Sequence, residues 1–221
     1  VLGRLSEAEG ALQRLPAAER YATVASLPDF LAKRFQAELG EQADAFGESI
    51  NARAPLCARV NTLKTDRTQL IAALQQEGVA ARPTPLSPIG LHLDTRINAF
   101  SLKAFKAGLF EIQDEGSQLL GMLVDAPPTK VVDACAGTGG KTLQLAAQMK
   151  NRGELFALDI EARRLDELKD RARRDGVHNV RVKVIPKEGP EVEKALEAWL
   201  GKADRVLVDA PCSGTGTLRR K

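Results

Sequence analysis

The chain has 221 residues, 43% hydrophobic and 28% charged, with a formal net charge of +3. This is the makeup of a globular protein of one to two domains with enough apolar material for a core. The three cysteines (Cys57, Cys135 and Cys212) form no CxxC pair, and there are only two histidines, His92 and His178. A zinc site and a disulfide scaffold are therefore not expected, and the cysteine usage fits a reducing cytoplasm. No signal peptide and no apolar run of membrane-spanning length is present, so no membrane partner is expected.

Residues 1–56 read as a helical segment. Leu12, Leu15, Tyr21, Val24, Leu27, Phe30, Leu31 and Phe35 recur at helical spacing, punctuated by Pro16, Pro28 and Gly40. Residues 57–64, CARVNTLK, alternate apolar and polar like a short strand. A helix is predicted over 65–78, with Thr65 or Asp66 as N-cap, Leu70, Ile71 and Leu74 as its apolar face, and Gly78 as its stop. Three prolines make 82–90 a loop or edge passage. GLHLDT follows as a strand, and FEIQDEGSQLLGMLV (110–124) runs from strand into helix.

From Lys130 the rhythm changes. TKVVDA, ELFALDI, VRVKVI and DRVLVDA are short runs rich in Val, Ile and Leu, separated by helical segments near 140–150, 161–175 and 190–200. Alternating strand and helix implies a parallel sheet covered on both faces, a Rossmann-like α/β domain. Asp125-Ala126-Pro127-Pro128 marks a boundary ahead of it. The predicted organisation is thus a helical segment 1–56, a small α/β subdomain 57–125 and a Rossmann-like core 126–221.

Ligands of such sheets sit at the carboxyl ends of the strands. Asp133, Asp159 and Asp209 end the first, second and fourth strands. One such Asp reads as a helix cap; three at equivalent positions read as a ligand site. The first strand runs into Cys135-Ala136-Gly137-Thr138-Gly139-Gly140-Lys141-Thr142. A Walker A loop would need glycine where Cys135 stands, and a G-x-G-x-x-G loop would need glycine where Thr142 stands. What remains is a glycine loop followed, 26 residues after Asp133, by an acid suited to ribose hydroxyls. That combination favours an adenosine-containing cofactor over a phosphate-rich nucleotide. After the fourth strand, Asp209-Ala210-Pro211-Cys212-Ser213-Gly214-Thr215-Gly216 places a cysteine at the same edge, in a turn too polar for a buried structural thiol.

RVNTLK (59–64), QDEGSQLL (113–120), DACAGTGGKT (133–142), FALDI (156–160) and DAPCSGTGTLRR (209–220) together resemble the RsmB/Sun family of RNA cytosine-C5 methyltransferases. The resemblance covers roughly the last three quarters of the chain. It implies a class I methyltransferase core, S-adenosyl-L-methionine as cofactor, RNA (ribosomal RNA) as partner, and an RNA-recognition-like fold for 57–125. It further implies that residues 135–141 cradle the methionine portion and Asp159 the ribose. Asp209 then holds the cytosine edge or the methionine end, Pro211 shapes that pocket, and Lys141 reaches the base or the cofactor carboxylate. Gln113 and Asp114 orient the loop.

In the family two cysteines share the chemistry. The one matching Cys212 assists breakdown of the covalent adduct, and the nucleophile lies in a later Thr-Cys segment. No Thr-Cys occurs among the 221 residues. With Val1 in place of Met and a stop directly after a motif, both ends are expected to be cut, the nucleophile falling after Lys221. Two departures stand out: the loop has Gly137-Thr138 where the family has Ala-Pro, and the third strand ends in Pro186-Lys187 where an acid near the adenine is usual. Glu188 comes one or two places late.

For RNA, Arg59, Asn61 and Lys64 are expected at RNA or between domains, with Arg219 and Arg220 as further contacts. Arg163, Arg164, Lys169, Arg171, Arg173 and Arg174 share one helix with Glu167 and Asp170 and read as a solvated mixed face. Two rivals remain: a methyltransferase acting on another base or a protein side chain, and a catalytically impaired RNA-binding or assembly factor that keeps the fold.

Overall fold

The computed structural model describes residues 10–94, 97–197 and 199–220, with Arg219 and Arg220 described by backbone alone. The described residues form two compact units. One runs Pro55–Cys212; the other comprises the described residues up to Ala54 and those from Ser213 on.

The smaller unit holds α1 (Ala17–Val24), α2 (Asp29–Leu39) and α3 (Ala43–Asn51). Tyr21, Ala22, Ala25, Leu27, Ala32 and Ala43 make its core, and Leu31, Phe35, Leu39, Ile50 and Leu218 pack against it. Leu218 lies in the 3-10 turn Thr215–Arg220. Its apolar contact draws the last residues to this unit, whereas the sequence reading assigns them to the Rossmann-like core. Two members of the predicted apolar stripe point outward: Val24 is 56% exposed and Phe30 is 73% exposed.

The larger unit contains two sheets. The first is built from β1 (Leu56–Val60), α4 (Arg67–Gln76), β2 (Ala81–Pro83), β3 (Gly90–Leu93), α5 (Lys103–Lys106) and β4 (Phe110–Ile112). Its order is β2-β3-β1-β4, and each neighbouring pair is antiparallel. This β-α-β-β-α-β path is the ferredoxin-like arrangement. Asp66 caps α4, its Oδ1 accepting the Gln69 N–H at 2.8 Å. β2 lies at the edge, where Pro83 costs no ladder bond. Ala58, Val60, Leu70, Leu74, Leu91, Phe105 and Phe110 fill this core.

Helix α6 (Glu115–Leu123) leads to the second sheet, made of β5 (Lys130–Asp133), α7 (Gly140–Gln148), β6 (Glu154–Asp159), α8 (Ala162–Asp175), β7 (Val180–Val184), α9 (Pro190–Leu196) and β8 (Arg205–Leu207). The strands are parallel in the order β7-β6-β5-β8. The chain therefore reverses direction across the sheet between β5 and β8, the switch point at which doubly wound folds bind ligands. Val131, Leu143, Leu145, Leu155, Ala157, Leu165 and Leu168 form the core beneath it. Among the described residues no helix is long and apolar enough to cross a membrane.

The two sheets meet through buried polar groups. Gln113, Gln118 and Gln144 are each buried, yet satisfied. Gln118 Nε2 donates to the Ala58 and Gln113 carbonyls at 3.2 and 3.0 Å, and Gln144 Nε2 donates to the Gln118 carbonyl at 2.6 Å.

Candidate active site

β5 and β6 end on Asp133 and Asp159; Asp209 lies two residues past β8. Each acid has a different task. Asp133 is 1% exposed. Its Oδ2 accepts the Thr142 hydroxyl at 2.7 Å, while Oδ1 has no full hydrogen bond among the described residues. Burial pushes its carboxyl above the usual range, and the nearby Asp209 adds to that. Asp159 Oδ2 accepts the Gly137 N–H at 2.8 Å and Oδ1 the Glu161 N–H at 2.9 Å. Each of its oxygens keeps a lone pair for a further donor. Asp209 Oδ2 pairs with Lys141 Nζ at 2.6 Å, the lysine being the more buried partner.

The loop between β5 and α7 is pinned from within. Ala136 N–H donates to the Leu158 carbonyl and Gly139 N–H to the Ala136 carbonyl, both at 2.9 Å. Gly137 and Gly139 both adopt positive φ, +53° and +93°, where side chains are strained. They differ in surroundings. A Cβ on Gly139 would meet Leu168 Cγ at 2.7 Å, whereas one on Gly137 or Gly140 would meet nothing within 4 Å. Gly139 thus serves packing, and Gly137 and Gly140 line the open side.

Three loop amides are already spent on the protein, so the loop is no phosphate cradle of the P-loop kind, which needs its N–H groups free. Cys135 sits among the three acids. Burial first, then Asp133, Asp159 and Asp209, push its thiol upward, which disfavours the thiolate. Three acids at the strand ends against the one Lys141, which pairs with Asp209 alone, make the site rich in carboxylate. A cofactor carrying a sulfonium and an ammonium fits that field, and a polyphosphate does not. Among the described residues no three His, Cys, Asp or Glu side chains gather as metal ligands.

Pro211 and Cys212 follow Asp209 in extended, exposed chain. Gln113 reaches the same region from the other sheet: its Oε1 accepts Arg59 Nε at 2.5 Å, and its Nε2 donates to Gln144 Oε1 at 3.2 Å. Asp114 precedes α6 and makes no side-chain cap bond to it. β7 leads into Ile185, whose N–H donates to the Asp159 carbonyl at 3.0 Å, then Pro186 and Lys187.

The expected RNA contacts are redistributed. Arg59 and Asn61 are 1% and 3% exposed. Asn61 Nδ2 donates to the Gly108 and Asp175 carbonyls, both at 2.8 Å. Lys64 Nζ donates to the Ala107 and Arg174 carbonyls at 2.8 and 2.5 Å, at the negative ends of α5 and α8. All three join the two sheets, Arg59 and Asn61 from buried positions and Lys64 from an exposed one. The side chains of Arg219 and Arg220 lie outside the described residues. On α8, Arg163, Arg164, Lys169 and Arg173 pair with acids of their own helix or its start, as a solvated face does.

Arg171 and Arg174 instead turn inward onto Glu111 of β4. Glu111 is the buried ion-pair partner that sequence reasoning passed over. As the middle residue of Phe110-Glu111-Ile112 it reads as a solvent-facing position, yet it is 3% exposed. Its only sequence signal is the register partner Arg59 on β1.

Comparison with known proteins bears on this arrangement. A family model described as 16S rRNA methyltransferase RsmB/F matches residues 122–221, and an RsmF/B-like ferredoxin-like domain matches residues 27–99. Ribosomal RNA small subunit methyltransferase B of Xylella fastidiosa is 36% identical over 200 residues, 89% of this chain and 46% of that protein. The probable ribosomal RNA small subunit methyltransferase B of Bacillus subtilis is 34% identical over 214 residues, 91% of this chain and 44% of that protein. A crystal structure of a methyltransferase homolog protein from Pyrococcus horikoshii matches with a TM-score of 0.78 at 30% identity, covering 94% of this chain and 67% of that one. The chain spans about half the length of the curated relatives it matches.

Proposed function

Because the chain belongs to the RsmB/F methyltransferase family, we propose that it takes part in methyl transfer from S-adenosylmethionine to C5 of a cytosine in ribosomal RNA. The observation that carries this reading is the single sheet edge shared by the pinned glycine loop, Asp159, the Lys141–Asp209 pair and, three residues past Asp209, Cys212. The cofactor supplies an electrophilic methyl group. Asp159 accepts from ribose hydroxyls with its remaining lone pairs, and the open side of Gly137 and Gly140 lets backbone approach the amino-acid portion. Asp209, oriented by Lys141, takes the cytosine edge or the methionine end, and Pro211 shapes the pocket.

Cytosine C5 is a poor nucleophile. Addition of a thiolate to C6 makes an enamine whose C5 would take the methyl group as its bond to the sulfonium sulfur breaks, the cofactor leaving as a thioether. A base then removes the C5 proton, and the C6–S bond breaks to return the thiolate. In this reading that first thiolate belongs to a Thr-Cys segment beyond these residues, and Cys212 assists the breakdown step. The test is Cys212→Ala in a chain that carries the Thr-Cys segment: with cofactor and RNA it should accumulate an RNA adduct that survives denaturation, which its parent does not. Unchanged turnover without an adduct would sink the assignment.

One observation favours a second reading, an RNA-binding or assembly factor without catalysis. β7 continues into Pro186 and Lys187, with exposed Glu188 beyond, where the family has an acid at the strand end. Calorimetry separates the two: no heat at millimolar S-adenosylmethionine supports the second reading over the first.

A further inference from the structure

The buried stripe of α8 is Leu165, Leu168, Ala172 and Asp175. Arg171 stands on its flank, three residues after Leu168, and both edges of its guanidinium are engaged. Nη1 donates to the Thr138 carbonyl at 2.7 Å and to the Thr138 hydroxyl at 2.9 Å. Nη2 donates to Glu111 Oε2 at 2.8 Å, and Nε lies 3.4 Å from Oε1. Glu111 is fixed in turn. It also pairs with Arg174, and it lies on β4 opposite Arg59 of β1. A carboxylate this buried is stable only while its partners stay in place.

Thr138 is the residue that most needs an external hold. Its neighbours Gly137 and Gly139 both sit at positive φ and have the widest conformational freedom of any residue type. The Gly139 N–H is tied to the Ala136 carbonyl. The Thr138–Gly139 peptide is therefore held on one side by the loop and on the other by Arg171. Arg59 approaches the Gly140 carbonyl, two residues on, at 3.5 Å.

We infer that Arg171 is a positioning residue for the cofactor loop, locked by Glu111, so that the ferredoxin-like sheet sets the geometry of the loop that receives the cofactor. The identity of that ligand rests on the function proposed above. Without the clamp the loop must be ordered on binding, and the cofactor is held about tenfold more weakly.

The decisive variant is Arg171→Lys. An ammonium keeps a charge beside Glu111 but cannot fork between Glu111 and Thr138. Arg171→Lys should melt close to the parent protein yet bind S-adenosylmethionine about tenfold more weakly, with RNA affinity unchanged. Thr138→Val, which keeps the carbonyl contact and loses the hydroxyl, should weaken binding about threefold, a fraction of one hydrogen bond. Binding by Arg171→Lys within twofold of the parent overturns the inference. So does a loss of binding that only tracks a loss of melting temperature. If the parent protein binds no S-adenosylmethionine, the proposed function fails instead. Hydrogen exchange at the Gly139 amide then decides: faster exchange in Arg171→Lys supports the clamp, and unchanged exchange overturns it.

Discussion

Asn61 separates two accounts of the segment RVNTLK, contact with RNA or attachment of one sheet to the other. Its side chain is 3% exposed and makes three bonds: Nδ2 to the Gly108 and Asp175 carbonyls at 2.8 Å each, and Oδ1 from the Leu63 N–H at 3.1 Å. Asn61→Ala removes all three and leaves two buried carbonyls short of a donor. At about 1 kcal/mol net per bond the loss is about 3 kcal/mol, a large part of a typical stability of about 5–15 kcal/mol. For a chain of this size that corresponds to a melting temperature lower by about 6–12 °C. Thermal unfolding and RNA binding should be measured on the same samples, below the melting point of the variant. RNA affinity should stay within twofold. Arg59→Met should likewise leave the salt slope of binding unchanged, because a lost phosphate contact would reduce it by about 1. An Asn61→Ala protein of unchanged melting temperature with tenfold weaker RNA binding would refute the inter-domain account.

The remaining predictions concern the acids and the loop. Asp175 is pushed up to about 7, chiefly by burial and then by the charge of Glu111, so the folded protein holds a proton that the unfolded chain releases near 4. Stability is therefore full below about pH 4 and falls as pH rises through 7. Asp175→Asn should flatten that decline in urea midpoints between about pH 4 and 7, and an unchanged slope would contradict the assignment. Gly139→Ala should cost about 2–5 kcal/mol, from strain at positive φ and a clash with buried Leu168, read by urea unfolding. Gly137→Ala, with open space around it, should cost only about 1–2 kcal/mol while weakening cofactor binding, measured by calorimetry. Thr142→Val should lose about 1.5–3 kcal/mol, because its hydroxyl makes the one full hydrogen bond to the buried Asp133 carboxyl.

The parallel sheet was legible because its central strands β5 and β6 are continuous apolar runs, as burial on both faces favours, and helical segments separate the strands. Asp133 and Asp159 fell at strand ends as the helix-cap and ligand arguments required, and Asp66 was legible as a cap from local chemistry alone. Arg59 and Asn61 were harder. In an alternating strand the polar residues read as outward, and nothing local reveals that α7 and α8 cover that face. Glu111 and Arg171 fail to show for the same reason, since they are partners 60 residues apart whose pairing exists only in three dimensions. Arg171 and Arg174 also lie among arginines that do face solvent, so composition could not single them out. The outward turn of Val24 and Phe30 shows the opposite error, apolar periodicity read as burial when a small three-helix core covers only part of it.

The central claim is methyl transfer to cytosine C5, and the most direct measurement is the chemical identity of the product. RNA incubated with methyl-labelled S-adenosylmethionine and a chain that carries the Thr-Cys segment, then digested to nucleosides, should carry the label as 5-methylcytidine. Label on adenosine, on another cytosine position or on protein alone would contradict the account.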